Sequence, residues 1–269
     1  MIRKFVDCIV KTYLSNLKNG AVSIIEYFGG LILLLFRTIF WTFAPPFKGK
    51  RIIKQANKIG VNALFIIFLI AGFTGIVLAL QTAYQMRRIG SEIYIASLVS
   101  ISMARELGPV FTALVVAGRT GAAITAEIGT MKVTEQIDAL ETLAVNPVKY
   151  LVVPRFLASL LVVPLLTVYA DFIGILGGGL IGIYKLGIGH NLYFRMAFQP
   201  MVYKDFFTGL IKAFVFAAII SLVGCYEGFR TKGGAEGVGK ATTASVVISF
   251  ILIIAADCLF TAIFYFLFP

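Results

Sequence analysis

The chain has 269 residues, of which 59% are hydrophobic and only 14% charged, with a formal net charge of +11 and a single histidine. Soluble domains run nearer half apolar and a quarter charged, so this composition excludes a water-soluble globular domain, a disordered chain and a disulfide scaffold. Lipid is the solvent of most of the sequence, and an excess of Lys and Arg then points to the positive-inside bias that orients membrane helices rather than to nucleic acid.

The charge is concentrated at the front. Residues 1–60 hold ten basic groups (Arg3, Lys4, Lys11, Lys18, Arg37, Lys48, Lys50, Arg51, Lys54 and Lys58) against Asp7 and Glu26, a net of +8 out of the total +11. Residues 1–55 therefore read as a basic amphipathic N-terminal segment on the anionic cytoplasmic leaflet, and 56–269 as a single transmembrane domain. The apolar run from Ala21 comes too late for a cleavable signal peptide and lacks a small-x-small cleavage site. Within this front, 24–43 is long enough to span, but spanning would place the basic groups before and after it on opposite sides. The expectation is a helix lying in the cytoplasmic interface, with Arg37 snorkelling and Trp41 among the headgroups.

About 20 apolar residues cross a bilayer as a helix, and five further stretches qualify: 61–86, 93–126, 151–184, 206–226 and 241–268. The expected fold is an all-α integral membrane protein with five transmembrane helices, N-terminus inside and C-terminus outside. Breaks are expected at Pro109 and Pro164, since proline removes a backbone donor and clashes with the preceding turn. The inside connections would be 127–150 and 227–240. The outside ones would be a turn at Arg87-Arg88-Ile89-Gly90 and a loop at 185–205 holding His190. Small residues four apart, Gly118/Ala122 and Gly174/Gly178/Gly182, predict close helix packing. Cys8, Cys225 and Cys258 are odd in number and far apart, which reads as packing rather than metal binding or a disulfide framework.

Ionisable residues inside apolar runs are costly and face a cavity or a partner. Arg105, Glu106, Arg119, Glu127, Asp171 and Asp257 are of this kind. Arg105 and Glu106 are sequence neighbours about 100° apart on a helix, so they do not neutralise one another along a shared face. At least one needs another partner or a polar cavity. Pairing between helices without a transport role is the plain alternative, and a stand-alone secondary transporter using Arg119, Asp171 and Asp257 as a relay is a second one, although no internal repeat supports it. With one histidine and no paired carboxylates, no catalytic or metal site is predicted.

Gly234-Ala-Glu-Gly-Val-Gly239-Lys240-Ala241 approaches a phosphate-binding loop, but Ala241 replaces the hydroxyl that would hold Mg²⁺ and no buried strand precedes it. Between the second and third spans, Glu135, Asp138 and Glu141 recur at every third residue on one face, with Met131, Ile137, Leu140 and Ala144 on another. That pattern predicts a short amphipathic cytoplasmic helix bounded by Gly129 and Asn146-Pro147, either a solvated connector or a lever seated on a soluble partner.

These stretches resemble the MlaE/YrbE-type permeases of ABC transporters that work with MCE-domain proteins. The matching segments are GFTGIVLALQTAYQ (72–85), ARELGPVFTALVVAGRTGAAITAEIGTMKVTEQIDALETLAVNP (104–147), PRFLA (154–158) and GVGKATTASVV (237–247). The resemblance covers about 55–268 and implies a homodimeric permease of the bacterial inner membrane, with two cytoplasmic ATPase subunits and a periplasmic MCE-domain protein. The cargo would be phospholipids or related lipids. It implies no cofactor and no chemistry in this chain, since ATP would be hydrolysed by the partner. By the same resemblance, Glu127, Gly129, Thr130, Met131, Lys132, Glu135, Gln136, Asp138 and Glu141 would form the ATPase coupling element. Leu78, Gln81, Gln85 and Met86, with Arg105, Glu106 and Leu107, would line the lipid pocket at the dimer interface.

Overall fold

In a computed structural model the described residues are 22, 25–45, 49–88 and 90–267. Arg3, Lys4, Lys11, Lys18, Lys48, Cys8 and Ile89 lie outside them. The described residues are almost all helical, with no strand among them. Eight helical stretches follow in order: α1 (Ile25–Thr42), α2 (Gly49–Arg87), α3 (Glu92–Val133), α4 (Gln136–Thr142), α5 (Val148–Tyr184), α6 (His190–Phe198), α7 (Tyr203–Arg230) and α8 (Gly234–Leu267). All but α4 and α6 are long and apolar enough to cross a bilayer, which makes this a multi-pass membrane protein with six candidate spans. The sixth is α1, whose 18 residues amount to about 27 Å, close to the hydrocarbon thickness. Leu31, Leu34 and Thr38 form its buried stripe, while Ile32, Leu33, Phe36, Ile39 and Phe40 are exposed, an outward face that asks for acyl chains.

The centre of the bundle is the pairing of α2 with α5. The buried residues of α2 are Ile59, Ala63, Ile67, Ala71, Gly75, Ala79 and Ala83, a strict four-residue ladder of mostly small side chains. Such a ladder drifts by about 40° per step on a helix of 100° per residue, so the seam winds around α2 and its partner crosses obliquely. At Gly75 the backbone of α2 meets the backbone at Gly174, and at Gly72 it meets Gly177, so a methyl group at Gly75 or Gly177 would strike main chain. Gly178 and Gly182, predicted to allow close packing, receive the ring of Tyr193 from α6: a Cβ would lie 2.8 Å from its hydroxyl and 2.7 Å from its ring carbons, respectively. Tyr193 is fully buried, donates to the Ile175 carbonyl at 3.1 Å, and its phenol is pushed up to about 12 by burial. Residues 185–205, expected as a loop, thus contain a helix that closes one end of the bundle.

Neither expected proline break is present. α5 runs as an α-helix through Pro164. α3 also continues past Pro109, but with two π-helical turns, Met103–Leu107 and Ala117–Gly121. Pro109 stands in the first turn after the first of these, where its missing donor does not interrupt the helix.

Candidate functional site

The first π turn decides where the charges of α3 go. Arg105 pairs with Asp205 at the start of α7, and Asp205 also accepts from the Val202 amide at 3.0 Å, so one carboxylate caps a helix and holds a neighbour. Glu106 points elsewhere, to the Lys212 ammonium in the middle of α7 at 2.5 Å. Lys212 is 1% exposed and also stands 2.8 Å from Asp257 and 2.7 Å from the Thr261 hydroxyl, both on α8. Thr261 lies 3.1 Å from Glu106. One buried ammonium between two carboxylates therefore joins α3, α7 and α8, and the low dielectric makes those contacts strong and their loss expensive. The expectation that Arg105 and Glu106 take separate partners is met.

Of the other residues assigned to the pocket, Leu78, Met86 and Leu107 are half-buried against the main apolar core, while Gln81 and Gln85 lie exposed on α2. Of the other ionisable groups in apolar runs, Arg119 donates to the Asn62 carbonyl on α2. Asp171 is buried against Gly108, where a Cβ would collide with its carboxyl oxygen. With Asp257 held by Lys212, these three residues go to three different neighbours.

The second charged region lies at the end that carries α4. Glu127 receives Lys58 of α2 at 3.2 Å and Arg155 of α5 at 3.0 Å, and Arg155, only 5% exposed, also donates to the Leu151 carbonyl at 2.7 Å. Glu127 is thus a latch between three helices. The predicted start of the amphipathic helix at Gly129 is corrected: α3 runs on through Gly129 to Val133, and the glycine there answers a packing need, since a Cβ would lie 2.8 Å from the Thr231 hydroxyl. Thr130 is exposed and bonds back to the Ala126 carbonyl at 2.7 Å. The chain then reverses at Glu135, φ 58°, before the seven residues of α4, and reverses again at Ala144, φ 57°. Ile137 is buried, Met131 and Leu140 are partly buried beside it, and Glu135, Gln136, Asp138 and Glu141 are exposed. Lys132 reaches back to Asp138 at 2.8 Å. The amphipathic character is as expected, in a shorter helix.

The near match to a phosphate loop is helical. Gly234 opens α8, and Lys240 pairs with Glu236 one turn earlier at 2.7 Å. The described residues contain no group of three His, Cys, Asp or Glu able to hold a metal. Sequence reasoning missed Lys212, Asp205, Lys58 and Arg155. For Lys212 the signal was available, since it is an isolated ammonium in the apolar run IKAFVFAAII.

Comparison with known proteins places these features in a lineage. The profile of the family described as Permease MlaE matches residues 52–263. A probable ABC transporter permease protein of Rickettsia conorii is 43% identical over 256 residues, covering 94% of this chain and 99% of that one. A probable ABC transporter permease protein of Synechocystis is 41% identical over 205 residues, 76% of this chain and 78% of its own. The intermembrane phospholipid transport system permease protein MlaE of Haemophilus influenzae is 37% identical over 215 residues, covering 80% of this chain and 82% of the relative.

Proposed function

The chain belongs to the MlaE permease family, and from that premise we propose that it is the membrane subunit of an ABC transporter that moves phospholipids between the inner membrane and a periplasmic MCE-domain assembly. The observation that carries this reading is the extent of the family match, 52–263, which runs through the ion-paired helices α3, α7 and α8 and the α4 element alike. The working unit is a homodimer with two cytoplasmic ATPase subunits, and ATP is hydrolysed there, not in this chain. The N-terminus is cytoplasmic, and α1 lies along that interface, its apolar face toward lipid.

In this reading Leu78, Gln81, Gln85, Met86 and Leu107 line the lipid passage, and Arg105 and Glu106 supply its polar contact or set how α3 is held against α7 and α8. The exposed acids Glu135, Asp138 and Glu141, with Gln136, Thr130, Met131 and Lys132, form the surface through which the ATPase acts, and Glu127 and Gly129 anchor it to the bundle. The test is lipid transfer from vesicles holding the complex and a labelled phospholipid. ATP should accelerate transfer to an acceptor, and Glu106→Arg should abolish it while the complex still inserts. Undiminished transfer by Glu106→Arg, or transfer indifferent to ATP, would overturn the reading.

A further inference from the structure

At the α4 end of the molecule, where α1, the start of α2 and the start of α5 meet, lies a cavity of about 320 Å³ that the transport reading does not use. Its walls combine two chemistries. Ile52 and Leu157 provide an apolar floor, and Trp41 and Tyr150 provide rings of the kind that settle at headgroup level. Arg51 and Lys149 provide two cations. The Arg51 guanidinium lies over the Tyr150 ring, 3.7 Å from its centroid, and the Lys149 ammonium lies 5.2 Å from the Trp41 ring centre while donating to the Pro45 carbonyl at 2.7 Å.

Ring and carbonyl contacts fix both cations without neutralising them. Among the described residues neither has a carboxylate within ion-pair distance, and none of the twelve residues lining the cavity is acidic. Two held, uncompensated cations above an apolar floor call for an anion with a hydrocarbon body. The size fits the glycerophosphate part of a lipid with its first methylenes. Phe36, Ile39 and Phe40, just before Trp41 on α1, are exposed and open to acyl chains.

We propose that this cavity is a binding site for an anionic phospholipid of the surrounding leaflet, its phosphate between Arg51 and Lys149 and its upper chain carbons on Ile52 and Leu157. The site is distinct from the transport passage. Ala144, Val145 and Asn146, the turn that follows α4, form part of its wall, so an occupying lipid ties α1 to the element that faces the ATPase.

Trp41 is the only tryptophan in the chain and lies in the wall, so it reports occupancy directly. In phosphatidylcholine nanodiscs, a fixed mole fraction of phosphatidylglycerol brominated on its acyl chains should quench Trp41 more than the same fraction of brominated phosphatidylcholine. One basic residue at a membrane surface is worth about 1 kcal/mol, so Arg51→Gln or Lys149→Gln should each cut that preference about fivefold. Lys149→Arg should keep it, and Lys50→Gln, next in sequence but outside the cavity wall, should leave it nearly unchanged. Quenching by brominated phosphatidylcholine serves as the control that each variant is folded and inserted. Equal quenching by the two lipids, or a preference that survives in the Arg51→Gln, Lys149→Gln double variant, would overturn the proposal. The measurement uses neither ATP nor transport, so its failure would leave the transport reading standing.

Discussion

In the first half of α3, Arg105 and Glu106 each reach a charged group on another helix. Past its end, Glu135, Asp138 and Glu141 lie on the surface, with Lys132 the one cation paired to them among the described residues. The first pair is held through Asp205 and Lys212, buried charges that are costly to leave alone in a low dielectric. The second set carries no such penalty and is open to a soluble partner. Charge on α3 thus binds neighbouring helices while the turn and short helix α4 beyond it present charge outward, and substitutions in the two places should fail in different ways.

The harshest test of that contrast is Lys212→Met. It strands Glu106 and Asp257 together, and removing one member of a buried ion pair costs about 3–5 kcal/mol. Thermal unfolding in mild detergent should show a loss of that order, and Glu106→Gln with Asp257→Asn added to Lys212→Met should recover most of it. No recovery would mean that Lys212 matters for its packing, not its charge.

At the other end, Glu135→Arg combined with Asp138→Arg should leave the melting temperature almost unmoved, because exposed substitutions stay within about 0.5 kcal/mol. The same variant should lose the ATPase on co-purification, or keep it without stimulation of hydrolysis. Full co-purification with full stimulation would remove the docking role from this surface.

A small gain in stability, with no effect on the ATPase, is expected from Ala144→Gly. A left-handed backbone costs an L-residue about 1–2 kcal/mol, part of which glycine returns through the entropy of the unfolded chain, so the variant should gain about 0.5–1 kcal/mol. A loss instead would show that the Ala144 methyl group makes a contact worth more than the strain.

How far the sequence disclosed this arrangement follows from which properties are local. Hydropathy located the long helices, and the 100° separation of Arg105 and Glu106 was enough to say that they part company. Their partners could not be read, because Asp205 and Lys212 lie about a hundred residues away and only the bundle brings them near. Lys212 is visible as a charge in an apolar run, but a single ammonium does not keep 206–226 from reading as a span. The π turns at 103–107 and 117–121 have no compositional signature, and Pro109 looked like a break where the helix in fact continues. Gly174, Gly178 and Gly182 announced a close approach through their spacing. That Gly75 meets the first and a tyrosine from a supposed loop fills the other two is a long-range fact.

The seam between α2 and α5 has a mechanical consequence. Where main chain rests on main chain at Gly72, Gly75, Gly174 and Gly177, there is no flexible side chain to act as a bearing, so the two helices cannot slip past each other without losing the whole contact. They form a rigid strut. The helices α3 and α7 pack on that strut, so a substitution that forces its two backbones apart should disturb the whole bundle and not one contact.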